Sequence, residues 1–221
     1  MLKKIIVGTA FLAVASPVFA AQPSTYNWTG YYLGAQVGDS SVRDNIHDEE
    51  IGSGASDYHS HFNLQGVTGG IFTGYNFQHD MWLIGVEADA ELSGIDGDNS
   101  RWPFGTDMTT KITSQGSLRG RLGYVYDTNL FYITGGVAVG EIKTDYYDTG
   151  SRHDSNENTK TGWTLGGGFE HAFTPKWTVR FEYRYTDFGR ITDSTITTDP
   201  GWMEHNDLIA HTVRVGIAYK F

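Results

Sequence analysis

The sequence predicts an all-β protein, an eight-stranded antiparallel up-and-down transmembrane β-barrel, and three observations lead to this fold class. Apolar and polar residues alternate with period two through eight segments of the 221-residue chain. The connections between these segments alternate between short and long. The chain combines 28 glycines and 14% aromatic residues with a mean hydropathy of only −0.36, a composition that does not suit a helical soluble enzyme.

Residues 1–20 show the three parts of a secretory signal peptide. Lys3 and Lys4 precede the apolar run 5–15, and residues 18–20 form a small-residue cleavage pattern. We expect cleavage after Ala20, which leaves residues 21–221 as one barrel domain and changes the net charge from −10 to −12. An exported chain with no cysteine is typical of a bacterial envelope protein. Because its net charge is negative, the chain lacks the basic surface that nucleic-acid binding requires.

The strands and connections follow from the alternation. The expected strands are residues 31–38, 67–77, 82–92, 118–126, 131–139, 163–173, 177–185 and 213–221. The expected short turns are residues 78–81, 127–129 and 174–176, and the expected long loops are residues 39–63, 94–111, 141–160 and 187–207. Short turns on one side and long loops on the other are typical of even-stranded outer-membrane barrels.

The distribution of charge favours a polar interior and a lipid-facing exterior. The four long loops hold 19 acidic and 7 basic residues, so the strands and turns of the mature chain sum to zero. A soluble barrel with an apolar interior is the alternative. A lipid-facing arginine near the midplane would cost about 2–4 kcal/mol, whereas an interior that pairs its ions avoids this cost.

Charged residues on the polar face of the strands form a candidate interior ion network. Its members are Glu87, Asp89, Glu91, Arg119, Arg121, Glu170, Arg180, Glu182, Arg184, Arg214 and Lys220. One interpretation is a salt-bridged core that fills the barrel, because eight strands leave an interior just wide enough for side chains. The other is an ion-conducting lumen, as in a small porin.

Aromatic residues recur on the apolar face beside the short turns. They are Phe77, Trp82, Tyr126, Phe131, Phe173, Trp177 and Phe221, with Trp28 and Tyr31 near the first strand. A ring of aromatic side chains at one level is typical of an interfacial girdle. The last strand must close the barrel, because an open edge in lipid is not tolerated.

Histidines in the expected loops are candidate ligands for hemin or a metal ion, since neutral imidazole binds iron and other transition metals. We single out His47, His59 and His61. No firm metal site and no required cofactor follow from the pattern, because polar loops often carry solvated histidines. Among the other loop residues, Ser194, Asp207 and His211 have no spacing that predicts a catalytic triad, so the sequence predicts a non-enzyme.

Several segments resemble the small outer-membrane β-barrel family of alphaproteobacteria, which includes major surface antigens and hemin-binding proteins. They are NWTGYYLG at 27–34, GGIFTGYNFQ at 69–78, GVEAD at 85–89, GSLRGRLGY at 116–124, TGGVA at 134–138, GWTLGGGFE at 162–170, EYRYTDFG at 182–189 and HTVRVGIAYKF at 211–221. The resemblance covers every expected strand and fails in the loops.

The resemblance implies an eight-stranded, multi-pass protein of the bacterial outer membrane. It also implies that Val215, Ile217, Tyr219 and Phe221 form the terminal signal read by the barrel-assembly machinery. The expected partners are therefore outer-membrane lipid, lipopolysaccharide and that machinery, together with host or surface ligands of the acidic loops. The expected role is structural, in envelope integrity and surface display. The alternatives are a surface receptor for hemin or a small ligand, and a small porin.

Overall fold

The computed structural model describes residues 26–50, 58–99, 107–147, 153–193 and 202–221, with side chains for the inner parts of these ranges. These residues form eight β-strands. The strands are β1 (Gly30–Glu50), β2 (Tyr58–His79), β3 (Trp82–Asn99), β4 (Asp107–Tyr126), β5 (Asn129–Tyr147), β6 (His153–Ala172), β7 (Trp177–Asp193) and β8 (Trp202–Lys220). Within this part of the chain, no helix is long and apolar enough to cross a bilayer.

The eight strands form one closed barrel. Each strand pairs antiparallel with the next along the chain, and β8 returns to pair with β1. The closing seam runs from Tyr32 opposite Lys220 to Glu50 opposite Trp202. Closure gives every strand two neighbours, which is the arrangement that lipid demands of a β-sheet. The fold class predicted from the sequence is confirmed.

The strands are longer than the sequence pattern predicted. They run for 17 to 22 residues, and the expected first loop, residues 39–63, is mostly the ladder between β1 and β2. The prediction of long loops was therefore wrong in extent. The apolar alternation marks only the part of a strand that contacts lipid, which takes about 9–11 residues. Beyond it, polar residues continue the same backbone pairing without a hydrophobic signal.

The outer face of the barrel is a band of exposed apolar side chains. It includes Leu33 and Val37 on β1, Ile71 on β2, and Val215 and Ile217 on β8. On β1 the band ends near Val37. The next residues on the same face of the strand are polar, namely Asp39, Ser41 and Arg43. A continuous outward apolar band bounded by polar residues is the exterior expected of a lipid-embedded barrel.

Glycines facing the lumen allow neighbouring strands to approach closely. A Cβ atom on Gly136 would lie 2.1 Å from the carbonyl oxygen of Leu118 on the adjacent strand, and one on Gly70 would lie 2.1 Å from that of Ala90. On the outward-facing Gly135, the nearest atom would be 3.7 Å away. Part of the high glycine content therefore serves strand packing on the lumen side.

Candidate functional site: the filled lumen

Among the residues whose side chains the structure describes, the barrel interior carries ten buried charged side chains. The acidic members are Glu87, Asp89, Glu91, Glu170 and Glu182, and the basic members are Arg119, Arg121, Arg180, Arg184 and Arg214. We call this set the lumen charge cluster. Five negative and five positive groups give it a formal charge of zero, so the acids and bases can compensate one another without counter-ions from solvent.

The strand register brings the ions together. Glu87 on β3 lies directly opposite Arg119 on β4, and Glu182 on β7 lies directly opposite Arg214 on β8. Because side chains alternate between the two faces of a strand, charges spaced by two residues all enter the lumen. Glu87, Asp89 and Glu91 on β3 follow this rule, as do Arg180, Glu182 and Arg184 on β7.

Glu87 links two walls of the barrel. Its carboxylate accepts hydrogen bonds from Arg119 Nη2 at 2.5 Å and from Tyr32 Oη at 2.8 Å. It also accepts one from Arg180 Nη1 at 2.7 Å, across the lumen from β7. Arg121 Nη1 lies 3.8 Å from the same carboxylate. Three arginines, two from β4 and one from β7, thus share this acid.

Glu91 is the corresponding acceptor nearer the loop end. Its carboxylate accepts hydrogen bonds from Arg214 Nη2 at 2.7 Å and from Arg184 Nη2 at 3.1 Å. The amides of Gln36 and Gln115 donate to it at 2.5 Å and 2.8 Å. Four donors therefore saturate one buried carboxylate, which is the condition under which burying a charge is tolerated.

The remaining acids complete the cluster. Glu182 accepts from Arg119 Nη1 at 2.8 Å and from Tyr132 Oη at 3.1 Å. Glu170 pairs with Arg121. Asp89 accepts from Arg184 Nη1 at 3.1 Å. The lumen at this level is therefore filled by ion pairs that cross from wall to wall.

Aromatic rings cover guanidinium faces that do not hydrogen-bond. Arg180 stacks 3.4 Å from the centroid of Phe72, and Arg121 lies 3.9 Å from that of Tyr132. Such cation–π contacts become stronger when the cation is desolvated. They add apolar packing to the polar middle of the barrel.

The turn end of the lumen is closed by the segment that precedes β1. Tyr26 and Trp28 turn into the barrel and pack edge-to-face, with ring centroids 4.8 Å apart. They belong to an apolar cluster whose other members are Leu83, Val125, Leu130, Tyr132 and Ala172. Burial, with a smaller contribution from the nearby charge of Glu170, raises the pKa of Tyr26 to about 12. We call residues 26–29 the N-terminal plug.

Two sequence interpretations are corrected here. Trp28 is only 2% exposed and lies in the lumen, not in the outer aromatic girdle. Lys220 does not join the lumen charge cluster, because its ammonium donates to the carbonyl of Asn27 and lies 4.8 Å from the ring centroid of Tyr26. It thereby holds the N-terminal plug against the end of β8. Alternation identifies the face of a residue within a strand but does not reveal a chain segment that folds back into the mouth.

The loop end of the lumen is apolar as well. A cluster of buried residues from seven of the strands fills it, consisting of Val42, Leu64, Ile95, Ile112, Ala138, Ile142, Phe188, Leu208 and Ala210. The alternation did not predict this layer, because all of its residues except Ala138 lie within or beside the expected loops. The signal in the sequence was weak, because Val42 is a single apolar residue between Ser40 and Asp44 on the lumen side of β1, and on β8 only Leu208 and Ala210 follow one another at the two-residue spacing.

The structure places the other candidate residues as follows. The seven aromatic residues of the expected girdle are all exposed on the outer face. Val215, Ile217, Tyr219 and Phe221 lie along the outer face of β8 or directly after it. His47, His59 and His61 lie on β1 and β2 instead of in a loop, but their side chains are outside the described residues. Hemin binding by these three histidines therefore stays a prediction.

Comparisons with known proteins agree with this architecture. A family model described as an outer membrane protein beta-barrel domain matches residues 10–221. The 31 kDa outer-membrane immunogenic protein of Brucella melitensis is 34% identical over 232 residues, covering 95% of this chain and 93% of that protein. The 22 kDa outer membrane protein of Rhizobium leguminosarum is 32% identical over 197 residues, covering 88% and 79%.

Among solved structures, the outer membrane protein OprG from Pseudomonas aeruginosa has a TM-score of 0.50 at 12% identity, covering 90% of this chain and 99% of that one. That likeness concerns the fold alone. The sequence relatives extend over nearly the whole chain and carry the assignment of family and location. The protein is an outer-membrane β-barrel similar to alphaproteobacterial surface antigens, and it belongs to the outer membrane protein beta-barrel family.

Proposed function

We propose that this protein is a structural component of the outer membrane, a non-conducting barrel that supports envelope integrity and displays its outer segments at the cell surface. The observation that carries the proposal is the lumen charge cluster, whose ten buried side chains occupy the middle of the barrel. The N-terminal plug and the apolar layer at the loop end lie on either side of it.

The same observation argues against the small-porin alternative. An aqueous path along the lumen would have to displace ion pairs such as Glu87 with Arg180, which join opposite walls. Separating a buried ion pair leaves uncompensated charges at a cost of about 3–5 kcal/mol for each pair. The filled interior instead resembles a domain core, as expected for the smallest barrels.

The names of the relatives support surface display. Several curated relatives are called outer-membrane immunogenic proteins, which describes antigens of those bacteria. No enzymatic role enters the proposal, since the filled lumen consists of mutually paired ions and packed apolar side chains.

The role in envelope integrity is tested in a strain from which the coding sequence has been deleted. We expect the deletion to increase release of periplasmic proteins and sensitivity to anionic detergent, and we expect wild-type protein to restore both. A complementing copy in which the charges of the outer segments are inverted separates envelope integrity from surface display. This copy keeps the membrane-embedded barrel and changes only the surface that is displayed. A deletion strain with an unchanged envelope, measured under osmotic and detergent stress, would contradict the structural role.

A further inference from the structure

The barrel register aligns three histidines on adjacent strands. His47 on β1 is the backbone partner of His59 on β2 and also of His205 on β8. The three residues therefore occupy one level of the barrel, with His47 in the middle. Nothing in the linear sequence shows this row, because its members come from distant parts of the chain.

Directly opposed residues of an antiparallel pair share one face of the sheet, with Cβ atoms about 4.5–5.5 Å apart. This spacing suits side chains that converge on a common ligand. The nearest other histidine, His61, lies opposite Asn45 and is outside the row. The register thus selects a different set from the three histidines that the sequence suggested, with His205 in place of His61.

The row lies outside the lipid-contacting part of the barrel. His47 follows Val37 by ten residues, and Val37 is the last exposed large apolar residue among the β1 side chains that the structure describes. At about 3.3 Å per residue, that is roughly 33 Å along the strand. An ion from the medium can reach this level without crossing the apolar band.

We propose that His47, His59 and His205 form a binding site for a divalent transition metal ion such as Zn²⁺ or Cu²⁺. Neutral imidazole suits these ions, and three histidines plus water are a known zinc ligand set. Glu49 and Asp207 lie two residues from members of the row, at register positions on the same face. Their negative charges favour a cation at this level.

The test uses the mature chain without a histidine tag, folded into detergent micelles and titrated with Cu²⁺ or Zn²⁺. We expect one equivalent to bind saturably, with a Cu²⁺ electron paramagnetic resonance spectrum that shows nitrogen coordination. His47→Ala, His59→Ala and His205→Ala should each weaken binding at least about tenfold, since even outer-shell partners of metal ligands are worth 10–100-fold. His61→Ala is the matched control and should change the affinity by less than about twofold.

Each variant is first checked for folding by its heat-dependent electrophoretic mobility. Because the row lies beyond the lipid band, we expect every variant to pass this check. The proposal is overturned if the wild-type protein shows no saturable site, if any one of the three variants keeps wild-type affinity, or if His61→Ala weakens binding as much as His59→Ala. Adventitious binding at exposed histidines would give this last pattern.

Discussion

Replacing Glu87 with glutamine is expected to lower the free energy of unfolding by about 3–5 kcal/mol, the typical cost of breaking a buried ion pair from one side. Glutamine keeps the size of the side chain but removes its charge. Arg119 and Arg180, which donate to Glu87 at 2.5 Å and 2.7 Å, would then share the remaining acids. The buried cluster would carry one uncompensated positive charge that the surrounding barrel cannot solvate.

The measurement is equilibrium urea unfolding in detergent micelles or lipid vesicles. Asp80→Asn is the matched control, because it makes the same chemical change at an exposed turn. The Asp80 carboxylate lies there 3.2 Å from His79 Nδ1, with both side chains exposed. Surface pairs of this kind contribute about 0–1 kcal/mol. If E87Q were no more destabilising than D80N, the lumen charge cluster would not stabilise the barrel as argued.

The second large effect is expected for Trp28→Ala, which removes the largest buried side chain of the N-terminal plug. Truncation of a buried tryptophan typically costs about 3–5 kcal/mol through lost transfer free energy and the cavity left behind. Trp28 is 2% exposed, and its ring packs against Tyr26 within the apolar cluster at the turn end. The backbone bond from Trp28 N to Gln78 Oε1, at 2.8 Å, does not depend on the side chain.

Trp28→Phe separates packing from hydrogen bonding at this position. The indole Nε1 has no hydrogen-bond partner among the described residues, so phenylalanine should lose much less stability than alanine. The free energies of unfolding of W28A and W28F are measured by following unfolding with gel mobility and with far-ultraviolet circular dichroism. A W28A variant as stable as the wild-type protein would show that the plug segment is not part of the folded core.

The sequence was sufficient to predict the strands in the part of the molecule that contacts lipid, because lipid on one side of the wall imposes a two-residue period there. Alternation located the central portion of each strand and placed Glu87 and Arg180 on the lumen face. It did not reveal which acid meets which base, because the contact between these two residues crosses the barrel and depends on closure. Lipid also imposes no pattern beyond its own thickness. The ladder from Val42 to His47 was therefore interpreted as loop, although its backbone pairs with both neighbours.

The N-terminal plug shows the same limit at the other end. Trp28 and Tyr31 are close in sequence and both aromatic, yet Trp28 is buried in the lumen while Tyr31 is 67% exposed on the outer face. The chain enters β1 at Gly30, whose φ of 138° is in a region that residues with a Cβ rarely adopt. Gly30 therefore marks the point at which the chain leaves the N-terminal plug and enters the barrel wall.

Electrical recording shows whether the side chains of the lumen charge cluster close the barrel to ions. The purified chain is reconstituted into planar lipid bilayers, and its orientation and folding are verified by protease protection and heat-dependent mobility. We expect no stepwise current from the wild-type protein at low holding potentials in molar salt. A steady, ohmic single-channel conductance from the folded wild-type barrel would contradict it, since ions would then pass where Glu87, Arg119 and Arg180 are joined.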